Sequence, residues 1–173
     1  RHEKDSLRAA LAVRDLPAES RLRVRQAGQA HDAEWAALAT AEMRANPRYQ
    51  WLGELSREAL FEELQSAQVL VMSSRMEGGA NAVSECILLG LPLIASRIDG
   101  NTGLLGEDYP ALFEVEDTAG LRVLLLRAER DPTWLEELGV WLRCLRPAFT
   151  VASEREGIRH LAAVIRAVGC DAN

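Results

Sequence analysis

Val69-Leu70-Val71-Met72 runs through Ser73-Ser74-Arg75-Met76-Glu77-Gly78-Gly79 into Ala80-Asn81-Ala82-Val83-Ser84-Glu85-Cys86-Ile87-Leu88-Leu89-Gly90, and on to Pro92-Leu93-Ile94-Ala95. The first four residues are apolar without alternation, the pattern of a strand buried on both faces. Ala80 to Leu89 reads as a helix closed by Gly90. Residues 92–95 are a second buried strand. Strand, glycine-bearing loop, helix and strand in this order make a right-handed crossover between parallel strands.

The same alternation extends outward. Leu7 to Leu16 reads as a helix ended by Pro17. Arg21-Leu22-Arg23-Val24-Arg25 alternates like a strand, with its arginines on the solvated side of an edge. Asp32 caps a helix to Ala45, residues 49–53 form a short strand, and Ser56 caps the next helix. Residues 111–115 are a last strand. Helical stretches follow near 117–129, 132–145 and 151–168. The fold class is therefore α/β: a doubly wound, Rossmann-like parallel sheet over residues 1–116, with C-terminal helices over 117–173 packed on the same domain. Ligands of such folds bind at the carboxyl ends of the strands. That selects the loops 53–56, 73–81, 96–106 and 115–118.

Composition narrows the function. The chain has 173 residues, 48% hydrophobic and 27% charged, which suits a globular domain rather than a disordered one. Its net charge of −6, without a basic tract, argues against nucleic acid or anionic lipid as a partner. The longest apolar run, Cys86 to Ala95, is broken by Gly90 and Pro92 and is too short to cross a bilayer. Cys86, Cys144 and Cys170 are odd in number and lack metal spacing, so a disulfide framework or zinc site is not expected. His2, His31 and His160 are scattered on polar stretches and read as surface residues. Trp134, Trp141 and Leu142 read as core or a seam between domains. With no signal peptide, the cytoplasm is the expected location. Arg1-His2-Glu3-Lys4-Asp5 lacks a Met and leads at once into a helical pattern, so it reads as the interior of a longer chain.

The chemistry concentrates in Ser73–Glu85. Gly78 and Gly79 let the backbone approach a ligand closely. The first amides of the helix, near Asn81, Ala82 and Val83, face the crevice with no acidic residue in the first turn, which suits a phosphate. Glu77 and Glu85 flank this point, and carboxylates grip sugar hydroxyls by accepting two hydrogen bonds. Spacing alone is weak. Among eighteen glutamates, four pairs stand eight apart, where chance supplies roughly two. Only Glu77/Glu85 spans a glycine pair between a buried strand and a helix. A plain capped turn is the competing reading.

Residues 73–96 resemble the E-x7-E signature of glycosyltransferase family 4, which typically reads Pro-Ser-x-x-Glu-Gly-Phe-Gly-x-x-x-Leu-Glu-Ala. Trp51-Leu52-Gly53-Glu54-Leu55-Ser56-Arg57-Glu58-Ala59-Leu60 resembles the family's upstream Phe-x-Gly-x-Val-Ser block. The resemblance implies the C-terminal, donor-binding half of a GT-B fold, with a first strand truncated. Two stretches depart from the family pattern: Gly78-Gly79-Ala80-Asn81, and Asp99-Gly100-Asn101-Thr102-Gly103-Leu104-Leu105-Gly106-Glu107-Asp108-Tyr109-Pro110. Both are similar to the selenosugar synthases of selenoneine biosynthesis, which join selenophosphate to the sugar of a UDP-sugar.

The resemblance implies a retaining, metal-independent transferase needing no cofactor. Its donor would be a UDP-sugar, UDP-GlcNAc or UDP-glucose, and its acceptor selenophosphate, bound mainly by another domain. Glu77 would hold sugar hydroxyls and Glu85 the ribose. Leu55 and Gly78, Gly79, Ala80, Asn81, Ala82 and Val83 would line the donor site. Lys4, the one lysine beside nineteen arginines, stands where the family's diphosphate-binding Lys belongs; its companion Arg is expected ahead of Arg1. Asp-x-Asp, the metal-carrying motif of the other main glycosyltransferase fold, does not occur. An ordinary family 4 enzyme with an alcohol acceptor and a non-catalytic nucleotide-binding module remain the alternatives.

Overall fold

In the computed structural model, residues 2–76 and 81–149 are described. A 3-10 turn over His2–Lys4 leads into α1 (Arg8–Val13) and β1 (Val24–Ala27), followed by α2 (Ala33–Ala45), β2 (Tyr49–Gly53), α3 (Arg57–Ser66) and β3 (Leu70–Met72). Then come α4 (Asn81–Leu89), β4 (Leu93–Ser96), α5 (Asp99–Leu105), β5 (Leu112–Phe113), α6 (Thr118–Arg130), α7 (Pro132–Leu145) and a 3-10 turn over Arg146–Phe149. The helix expected over 151–168 lies outside the described residues.

Every strand pair is parallel, as the crossover order requires. The ladders form two pieces, β1–β2 and β3–β4–β5, where the sequence pattern suggests one continuous layer. β4 is central to its ladder and all four of its residues are buried. β3 was expected to be buried on both faces. Its three residues are only half-buried, because β4 pairs with one of its edges and no described strand pairs with the other. The core gathers β4 with Val83, Cys86 and Ile87 of α4, Leu121 and Leu125 of α6, and Trp134, Leu138 and Leu142 of α7. Leu and Ala supply most of it, as the low aromatic content requires.

Local signals fix several boundaries. Asp32 Oδ1 accepts from the Trp35 amide at 2.7 Å and Ser56 Oγ from the Ala59 amide at 3.2 Å, so both caps form where the sequence places them. Asp117 and Asp131 cap α6 and α7 in the same way. Other boundaries move. α1 ends at Val13 rather than Leu16. β1 begins at Val24 rather than Arg21, because the Arg21 amide donates to Glu129 Oε1 and the Leu22 amide to Ser20 Oγ, which removes both donors from the ladder. Of the three arginines read as one strand face, only Arg25 lies in β1, and it pairs with Glu63 at 2.6 Å. The segment 96–106, read as a loop, contains α5. Its two glycines blur the apolar period. The Asn101 and Thr102 amides both donate to the Ile98 carbonyl at 2.9 Å and start the helix.

Glu42 anchors the α1–α2 seam. Its buried carboxylate accepts from the Arg14 guanidinium and, at 2.9 Å, from Asn46 Nδ2, which also donates to the Ala10 carbonyl. The Arg14 hydrogen bonds, despite partial burial, hold the Glu42 carboxyl below its usual value of 4.5. A depressed folded value means the contribution is complete above about pH 4.5 and is lost as pH falls through the folded value. Glu42→Gln should therefore lower stability near neutrality by roughly 1.5–3 kcal/mol. In urea unfolding at several pH values, the gap between variant and parent should narrow below pH 4.5. A gap independent of pH would mean that the Arg14–Glu42 charge contact contributes nothing.

Candidate functional site

Parallel strands put all their carboxyl ends on one edge of each ladder. Two contacts place the edges of both ladders together. The Arg75 amide, after β3, donates to the Glu3 carbonyl at 2.7 Å. His2, in the same turn as Glu3, meets His31, after β1, with ring centroids 5.2 Å apart. The loops after β1 and β3 thus share the N-terminal turn as a common wall. Gly28 N donates to the Gly53 carbonyl at 2.8 Å and ties the loop after β2 to the same end.

The sequence-predicted residues fall on this crevice to different degrees. Lys4 is exposed in the first 3-10 turn. Ser73 Oγ donates to the Asp5 carbonyl at 2.9 Å and approaches the Lys4 carbonyl at 3.4 Å, so the turn is fastened to the end of β3. Leu55 is half-buried just ahead of the α3 cap. Asn81 begins α4, a helix with no acidic residue in its first turn. Ala82 is half-buried, Val83 is buried in the core, and Glu85 is exposed one turn into the helix. Glu77, Gly78, Gly79 and Ala80 lie outside the described residues. The structure therefore brings Lys4 and the α4 N-terminus to the two ends of one loop. The α4 amides offer positive potential at the end of a strand, which is how such folds hold phosphate.

Cys86 follows Glu85 but points into the core. Burial, and secondarily the Glu85 charge, push its thiol up to about 12, which removes it as a nucleophile near neutral pH.

Sequence reading missed the group that organises the rim. The Arg75 guanidinium lies 2.7 Å from Glu116 Oε1 and 3.9 Å from Asp5 Oδ1. Asp5 Oδ2 in turn accepts from Arg8 Nε at 2.7 Å, and Arg8 NH1 donates to Thr118 Oγ1 at 2.8 Å. Asp5 and Glu116 have φ of 44° and 65°, the non-glycine residues found at positive φ among those described. Each pays strain of order 1–3 kcal/mol, which persists only where surrounding contacts over-determine it. Both meet the same guanidinium. Arg75 is visible in the sequence, but its partners lie on loops far apart in the chain. The floor of this edge carries a second unforeseen group. Asn101 Nδ2 donates to the Ser96 carbonyl at 2.9 Å, and Ser96 Oγ to the Ser74 carbonyl at 2.5 Å. Asn101 Oδ1 is buried without a hydrogen-bond partner.

Of the three histidines read as scattered, His2 and His31 come together beside Asp32, and His160 lies outside the described residues. Trp134 and Leu142 are core as expected, whereas Trp141 is partly exposed and donates to the Leu105 carbonyl at 3.0 Å. Trp141 lines an apolar groove of about 760 Å³ between α5 and α7. Glu136 and Glu137 on that groove would repel a diphosphate.

Arg75→Ala should loosen the rim with little effect on the core. Half-exposed ion pairs of this kind contribute roughly 0.2–1 kcal/mol. Hydrogen exchange at the Asp5, Arg8 and Asp117 amides should accelerate while α7 stays protected. Unchanged exchange at all three would show that Arg75 does not hold these loops.

Comparison with known proteins accords with this architecture. No protein of curated function matches the sequence significantly. Among solved structures, the chain is similar to Anabaena Alr3699/HepE in complex with UDP, with TM-score 0.81, 14% identity and coverage of 95% of this chain and 46% of that one. It is similar to sucrose-phosphate synthase from Thermosynechococcus elongatus, with TM-score 0.73, 19% identity and coverage of 97% and 44%. The catalytic domain of cholesterol-alpha-glucosyltransferase from Helicobacter pylori gives TM-score 0.66, 15% identity and coverage of 85% and 92%. The chain spans slightly under half the length of the first two. At these identities the likeness is one of fold, the α/β layer of the C-terminal half of a GT-B structure. No described helix is long and apolar enough to cross a membrane. Residues 1–138 match the family described as Glycosyl transferases group 1, and the chain belongs to that family.

Proposed function

We propose that this chain is the donor-binding half of a retaining, metal-independent glycosyltransferase that moves a sugar from a UDP-sugar to selenophosphate. The observation that carries the donor half of this reading is the α4 N-terminus, free of acidic residues, at the carboxyl end of β3. The family match and the UDP named with the Anabaena structure favour a uridine nucleotide there. The separation of the β1–β2 and β3–β4–β5 ladders is consistent with a further strand between them, and the acceptor domain is proposed from the resemblance and from the chain's covering under half of the first two similar structures. The acceptor assignment rests on the Gly78–Asn81 and Asp99–Pro110 variants of the family pattern.

In this mechanism the α4 amides and Lys4 meet the negative charge that grows on departing UDP. That is an electrostatic task for preorganised donors. Glu77 orients the sugar through its hydroxyls, and Glu85 accepts from the ribose. Arg75 positions the Lys4 turn rather than touching the donor. A carbon–selenium bond forms at the anomeric carbon as its bond to the β-phosphate oxygen breaks, and the bonding pair leaves with UDP. Attack on the face of departure gives retention. Selenophosphate is anionic and needs little deprotonation, so no general base is assigned.

Three substitutions in the full-length enzyme separate the roles. Glu85→Ala removes two hydrogen bonds to a charged acceptor, each worth about 1.5–3 kcal/mol, so donor KM should rise more than about tenfold. Glu77→Gln should lower kcat yet leave UDP affinity unchanged, because UDP carries no sugar to orient. Lys4→Ala should weaken UDP itself, less so at high salt. Equal impairment of UDP binding by Glu77→Gln and Lys4→Ala would contradict the assignment. Product formation with alcohol acceptors but not with selenophosphate would restrict the enzyme to ordinary glycosyl transfer.

A further inference from the structure

Three metal-binding side chains meet at the crevice rim, apart from the donor segment. His2 lies in the first 3-10 turn, and His31 and Asp32 end the loop between β1 and α2. One donor atom from each lies within 4.8 Å of the others. From this geometry we propose that His2, His31 and Asp32 form a site for one divalent transition ion, zinc foremost, which staples the Lys4 turn to the loop after β1. Residues far apart in sequence make the site, so spacing along the chain conceals it.

The donor set selects the class of ion. Two imidazoles and a carboxylate suit zinc and its neighbours, whereas magnesium and calcium demand oxygen ligands. Zinc holds such donors at about 2.0–2.2 Å, so two tetrahedral ligands stand about 3.3 Å apart. His31 Nε2 and Asp32 Oδ2 are already 3.2 Å apart. His2, exposed in a short turn, completes the set by side-chain rotation. A fourth position remains for water.

The outer partners of a metal site are present too. Asp32 Oδ1 accepts from the Trp35 amide at 2.7 Å, which aims the second oxygen at His31. The Trp35 ring stands 5.7 Å from the His31 ring and is itself edge-on to Trp51 at 5.2 Å. Such supports fix ligand orientation before an ion arrives. The ion joins two segments of the rim and takes no part in sugar transfer. The inference therefore stands or falls apart from the proposed reaction.

The test uses the full chain, stripped of metal with EDTA and exchanged into clean buffer, with zinc chloride as the probe. Calorimetry should show one saturable site, and the melting temperature should rise with zinc. Cobalt should give the visible absorption of a four-coordinate nitrogen–oxygen site. Losing an outer-shell partner alone weakens metal sites about 10–100-fold, so loss of a ligand in His31→Ala or His2→Ala should cost at least about tenfold. Asp32→Asn keeps the helix cap and removes the anionic ligand. Without zinc it should melt slightly below the parent, having lost the charged contact to His31, and it should lose the zinc-induced rise. No saturable binding, or equal affinity in parent and all three variants, would overturn the proposal. His2→Ala, at an exposed terminal turn, keeps the test decisive if His31→Ala fails to fold.

Discussion

The parallel pairing of β3, β4 and β5 is the constraint from which the rest of the molecule follows. β4 is buried along its whole length and bonded on both edges, so its neighbours must run in its direction and return by helices. Parallel strands end on one edge, and there the connecting loops gather. The chain's chemistry then has one place to assemble. The apolar core packs around these strands. Its contribution is to hold the ends of β3, β4 and β5 at fixed spacing, so that loops from distant parts of the sequence become neighbours.

Those loops are held by charge rather than by burial. Arg75 reaches Glu116 and Asp5, Asp5 reaches Arg8, and Arg8 reaches Thr118. The result is a band of alternating charge across the first turn, the β3–α4 loop and the β5–α6 loop. Its members, two guanidiniums and two carboxylates, compensate one another. The positive φ values of Asp5 and Glu116 belong to the same band. Strain at two loop residues, both against one guanidinium, is the signature of loops shaped by their contacts and not by local preference.

What the sequence makes legible is what local physics determines. Uninterrupted apolar runs mark β3 and β4, and the side chains of Asp32 and Ser56 mark helix starts within three residues of where they act. The E-x7-E segment declares itself by sitting between such elements. The misreadings share a different cause. α5 was hidden because Gly100 and Gly103 break its apolar period while its first turn is held by backbone amides alone. β1 was misplaced because Arg21 and Leu22 spend their amides on Glu129 and Ser20, contacts that no window of sequence contains. Arg75 stands out in the sequence as part of a motif and not as a clamp. His2 and His31 read as isolated because only the folded rim brings them together.

The proposed donor site would hold a nucleoside diphosphate at the carboxyl ends of the strands, between the Lys4 turn and the start of α4. Mapping backbone amide shifts of the chain by NMR as UDP is added tests it most directly. Saturable changes are expected at Lys4 and Asp5, through Ser73–Glu85, and in the loop that bears Glu116. Groove residues such as Leu104, Thr133 and Trp141 should stay unmoved. Shifts confined to the α5–α7 groove, or no shifts at saturating UDP, would contradict it.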